Sequence, residues 1–164
     1  MIQISHEGES IHVAQPSNTS LSQTVWHARM RDFLADCVGS APFEQADRIR
    51  EATLLLPHAS AFSFGQPHTG GEAQAIEWML ESGAYESAVL ALIGPETAFM
   101  LSRGGSGSCL ATVVLPDGSE EMIAEGSTLA LALLAGHVSA LIADSEQEET
   151  SAPGISPVAR MHLN

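Results

Sequence analysis

No lysine occurs anywhere in the 164 residues, and six arginines stand against 20 acidic residues, for a formal net charge of −14. The absence of lysine excludes a Walker A phosphate loop, a Schiff-base enzyme and the usual kinase lysine. Positive charge of any kind is scarce, and that argues against a polyanionic partner. Affinity for nucleic acid comes mainly from neutralising phosphates, and a chain this acidic is repelled by them and by anionic membrane surfaces alike. Neither nucleic acid nor a membrane is therefore an expected partner. Cysteine is nearly missing: Cys37 and Cys109 are the only two, and neither belongs to a Cys-x-x-Cys pair. Such sparse usage suits a reducing compartment, where a free thiol behaves as a small buried hydrophobe. The opening MIQISHEGES has neither the basic nor the apolar region of a secretory signal, so a cytoplasmic location is expected.

What the chain does have is an apolar run, LALALLAGHVSALIA, from Leu129 to Ala143, in which twelve of fifteen positions are Leu, Ala, Val or Ile. A helix apolar on nearly every side must be buried all round. At about 22 Å it is shorter than the ~20 apolar residues a bilayer crossing needs. It is either the central helix of a small core or half of a subunit interface. The remaining apolar stripes are few, so a homodimer through this helix is expected.

The length suits one domain with a large enough core to need no disulfide or metal. Residues 1–19 read as an N-terminal arm or short hairpin, with Ile2, Ile4, Ile11 and Val13 alternating around a Glu7-Gly8-Glu9 turn. A capping box at Ser20 and Gln23 opens a helix carrying Trp26, Met30, Phe33 and Cys37 at helical spacing. A second helix follows Pro42 and is expected to stop at Pro57, with Glu44 and Arg48 placed as an i,i+4 pair. Residues 57–71 read as a loop rich in Pro, Gly, Ser and His, before a third helix from Gly71 or Glu72 to Ser82. Tyr85 to Ile93 fits a helix or a buried strand, with helix preferred.

Three strand-like runs follow, 98–102, 109–115 and 119–124, separated by an RGGSGS loop and a Pro116-Asp117-Gly118 turn. Gly126-Ser127-Thr128 caps the apolar helix, and residues 144–164 read as an acidic, Pro-containing mobile tail. The fold expected is α+β: an N-terminal helical half of three or four helices, a three-stranded antiparallel meander and a buried C-terminal apolar helix, all within 20–143. Because 110, 112, 114 and 111, 113, 115 are both largely apolar sets, both faces of the sheet are expected to be covered, one by the last helix and one by the helical half or another subunit.

Candidate sites are few. His68-Thr69-Gly70-Gly71 precedes a helix, where free backbone N–H groups and an imidazole can hold a small anion or carboxylate; the plainer reading is an ordinary helix cap. The loop from His58 to Gly71 would be the site of any enzyme or ligand-binding activity. Gly104-Gly105-Ser106-Gly107-Ser108 is a hairpin loop, since a nucleophile elbow needs a helix after it and a second Gly where Ser108 stands. The seven histidines form no His-x-His or His-x-x-x-His pair, so neither a metal nor another cofactor is expected. His137 interrupts the apolar helix. A buried imidazole has a depressed pKa, as at active sites, but a core histidine satisfied by a carbonyl fits equally simple packing, and Gly136 beside it suits a close approach. Glu120, Glu121 and Glu125 read as solvated edge charges that discourage strand addition.

The order strand, strand, helix in LATVVLPDGSEEMIAEGSTLALALLAG resembles the core of HicB-type antitoxins over less than a third of the chain. The likeness is one of pattern, the preceding helices have no counterpart in it, and it assigns no family. No catalytic constellation emerges. The reading is a small non-catalytic interaction and self-association module whose partner is itself or another protein. The alternatives are an anion- or carboxylate-binding protein or enzyme using residues 58–71, and an acidic, antitoxin-like regulator of a basic protein.

Overall fold

The computed structural model describes residues 18–63, 70–116 and 120–151. The elements are α1 (Asn18–Gly39), a 3-10 turn (Pro42–Glu44), α2 (Gln45–Ser63), α3 (Gly70–Glu81), α4 (Tyr85–Ile93), β1 (Ala98–Arg103), β2 (Cys109–Val114), β3 (Met122–Gly126) and α5 (Leu129–Ser151). The fold is α+β, with helices, then strands, then a C-terminal helix. The strands form an antiparallel sheet in the order β1-β2-β3, and Met100, Thr112 and Ile123 lie side by side across it.

The apolar helix is the centre of the molecule. Residues 130–135 and Val138 of α5 are fully buried, enclosed by β2 and β3 on one side and by α1, α4 and α2 on the others. Its burial lies within one chain. The expectation of a subunit interface through this helix therefore loses its basis, because the apolar stripes of α1 (Met30, Phe33, Cys37), α2 (Ile49, Ala52) and α4 (Val89, Leu92) suffice to enclose it. Thr128 caps its start, with Oγ1 accepting the Leu131 N–H at 3.1 Å.

Two glycines let α5 lie directly on the sheet. A Cβ on Gly126 would fall 2.5 Å from the Ala132 backbone nitrogen, and one on Gly136 would fall 2.8 Å from Val113 Cγ2. Elsewhere, α3 ends in a Schellman motif: Ala84 N–H bonds Met79 O at 2.8 Å and Gly83 N–H bonds Leu80 O at 3.1 Å, with Gly83 at φ 75°.

Several boundaries differ from the sequence reading. α5 continues through Asp144 to Ser151, where a tail was expected to begin. Partners distant in sequence hold it helical. His27 Nε2 lies 2.6 Å from Ser145 Oγ, Arg31 pairs with Glu146, and Gln147 donates to Glu120 at 3.1 Å. Lengthened in this way, α5 is long and apolar enough over Leu129–Glu148 to cross a membrane by length and composition, but 61% of that window is buried inside the protein, as in a core helix.

α2 passes through Pro57 to Ser63 rather than stopping there. Proline costs a helix one ladder bond and a steric contact, but Leu55 and Leu56 just before it are buried and fix the turn from which the chain continues. Glu44 accepts the Ala41 N–H at 2.7 Å instead of pairing with Arg48, which binds Glu51 at 2.5 Å. β3 begins at Met122, later than the expected 119. Of the arm expected at 1–19, Asn18 and Thr19 belong to α1; residues 1–17, the turn residues Asp117 and Gly118 and the end of the tail lie outside the described residues.

Candidate functional site

Of the predicted anion site, Gly70 and Gly71 are the first residues of α3, which starts one residue before the expected Gly71, while His68 and Thr69 lie outside the described residues. His58, expected in a loop beside them, falls within α2. α3 packs on α4 and α2 and not on α5, so the backbone N–H groups at Gly70–Gly71 and the imidazole of His137 belong to separate regions.

His137 is buried, and burial pushes its pKa down to about 4. Its Nδ1 has no hydrogen-bond partner among the described residues, so the carbonyl expected to satisfy it is not found at that atom. The ring is held neutral in apolar surroundings. Gly136 serves close packing, against Val113, as the sequence suggested.

A second polar cluster, unseen in the sequence, joins the turn after α1 to the start of α5. Ser127 Oγ donates to Ser40 O at 2.7 Å, Arg48 Nε donates to Ser40 Oγ at 3.0 Å, and the guanidinium also lies 3.7 Å from Asp36. Cys37 sits in this neighbourhood. Burial pushes its thiol up to about 12, opposed by the Arg48 charge, so it stays protonated and unreactive at neutral pH. Cys109 is also buried, and both thiols are free. This cluster ties elements together and presents no nucleophile.

Between the sheet and α5, Leu115, Glu120, Met122, Ala140, Ala143, Asp144 and Gln147 line a cleft of about 10 Å³. A single water needs about 10–15 Å³, so no substrate enters it. His137 is not part of its wall. Among the described residues no three His, Cys, Asp or Glu side chains converge as a metal site requires; His6 and His12 lie outside them.

The surface that stands out is the outer face of the sheet. Alternation along the strands directs Met100, Leu110, Thr112, Val114 and Ile123 away from α5. Three of these apolar side chains stay open to solvent: Met100 is 70% exposed, Leu110 43% and Ile123 67%. Of the two covers expected for this face, the helical half or another subunit, the helical half packs on the other side. The alternation carries the signal of two apolar faces; it does not tell which one the described residues leave open. Comparisons of the chain with family models, curated proteins and solved structures found no match.

Proposed function

We propose that the protein is a small, non-catalytic interaction module that associates with a second copy of itself in the cytoplasm. The observation that carries this reading is the apolar face of the sheet that the described residues leave uncovered, with Met100 and Ile123 flanking Thr112 in one row across the strands and Leu110 diagonal to both. Contiguous exposed apolar surface on a small soluble domain marks a contact site. The inert thiols, the water-sized cleft and the isolated neutral His137 give catalysis no counterweight to it.

Each copy carries −14, so association works against long-range repulsion. Salt screens that repulsion over about 8 Å at physiological ionic strength. Sedimentation equilibrium of the full chain is expected to show a dimer that tightens as salt is raised. A monomer at every concentration and salt would overturn the proposal.

A further inference from the structure

We propose that the contact is made by the edge of the sheet at β1. Two copies pair β1 with β1 antiparallel across a two-fold axis at Met100, joining two three-stranded sheets into one of six strands. This rests on the self-association proposed above and places the contact at the edge beside the apolar face, which it covers only at Met100.

Among the described residues β1 is hydrogen-bonded on one side only, to β2. Gly104 N–H bonds Ser108 O at 2.9 Å, directly beyond the Arg103–Cys109 pair. Antiparallel strands alternate the direction of their backbone groups, so Ala98, Met100 and Ser102 point theirs at β2. Those of Phe99, Leu101 and Arg103 point outward along the open edge.

Apart from Leu101, which packs partly on the core, the side chains at this edge are open to solvent on both faces. α5 lies mainly over β2 and β3, so Phe99 remains 44% exposed on the helix side although its neighbour Val113 is fully buried. Met100 is 70% exposed on the other side. Proteins blunt such edges with charge, proline or a bulge. β1 has neither proline nor bulge, its register with β2 being unbroken over six pairs, and its one charge, Arg103, stands at its very end.

Charge distinguishes the two edges. Between Thr97 and Pro116, Arg103 is the only charged residue in a chain that is otherwise strongly acidic. The opposite edge, β3, carries Glu125 and is preceded by Glu120 and Glu121. A two-fold there would crowd the three carboxylates of each copy together, and like charges in direct opposition cost several-fold to many-fold in affinity. The β1 two-fold avoids all of them.

Opposed residues in an antiparallel pair share a face, so a two-fold must match positions of equal parity. With Met100 facing its own copy, Phe99 faces Leu101 of the second copy and Ser102 faces Ala98. Both α5 helices then lie on one side. The two outer faces adjoin on the other, with Met100 against Met100 of the second copy at the axis.

The test uses the full chain. Met100→Cys places two thiols at a pair where Cα atoms stand about 4.5 Å apart, within disulfide reach. The native thiols are fully buried and do not compete. Mild oxidation is expected to link Met100→Cys into dimers and to leave Ile123→Cys, on the far edge, unlinked. Phe99→Lys is expected to weaken association at least about tenfold with the thermal midpoint of the dilute protein unchanged. Amide exchange at Phe99, Leu101 and Arg103 should slow as concentration rises.

A dimer that links through Ile123→Cys and not Met100→Cys, or that ignores Phe99→Lys, overturns the edge assignment and leaves self-association standing. A monomer overturns both. A monomer whose three outward amides are protected at every dilution would put another segment of the same chain, such as residues 2–14, on this edge.

Discussion

The two faces of the sheet are built from nearly the same residue types and have opposite fates. Cys109, Ala111 and Val113 of β2 are fully buried beneath α5, while the alternate position Leu110 is 43% exposed. Apolar alternation along a strand thus says that a face can be covered, not that it is. What decides the matter is the complementary surface. Gly126 and Gly136 lack the Cβ atoms that would hold α5 and the sheet apart, and no such accommodation faces the other side.

The sharpest way to break the covered face is at Gly126. In Gly126→Val the added carbon would meet α5 backbone at 2.5 Å, which cannot swing aside as a side chain can. A loss of about 3 kcal/mol or more, or outright failure to fold, is expected in urea titration. Ile123→Ala on the bare face, three residues earlier, should shift stability by less than about 0.5 kcal/mol in protein dilute enough to be monomeric.

His137 gives the same buried side a pH dependence. Its folded pKa of about 4 lies below the ordinary 6.5, so the unfolded chain binds the proton that the folded chain refuses. Stability contributed by keeping this ring neutral is intact above pH 6.5 and falls as pH drops toward 4, by about 3 kcal/mol in all. His137→Leu should remove that component of the slope, measured by denaturant midpoints between pH 7 and pH 4.

Smaller effects sharpen the contrast. Val113→Ala should cost about 2 kcal/mol by calorimetry, since the cavity opens under a packed helix. Arg31→Ala removes an ion pair to Glu146 whose partners are about half exposed, and less than about 1 kcal/mol is expected in the same measurement.

Much of this architecture can be read from local signals. Thr128 as the cap of α5, the apolar stretch behind it, the strand alternation from Ala98 and the stop at Gly83 are each written within a few residues. The misses are all decided at a distance. The true end of α5 depends on His27 and Arg31, which lie 118 and 115 residues from their partners. Helix α2 passes Pro57 because of the core its neighbours enter, and the bare face depends on where α5 comes to lie. The candidate site was legible only in part. His137 was recognised as a buried oddity, and Gly70–Gly71 as a helix start. The meander pattern already puts β1 at an edge; what it does not tell is that α5 leaves Phe99 and Met100 beside that edge open to solvent.

The seam between α1 and α5, His27 on Ser145 and Arg31 on Glu146, also sets an order of events in the cell. The first described helix closes against the last, so α1 to α4 emerge from the ribosome before the element they enclose has been made. At 5–20 residues per second the wait between Gly39 and Leu129 is roughly 5–20 s. During that interval Met30, Phe33 and Ile49 have no α5 to cover them, and nascent chains would meet holding chaperones or one another. Folding of this domain is in that sense an act of its final segment: a chain halted before Leu129 is left with a shell and no centre.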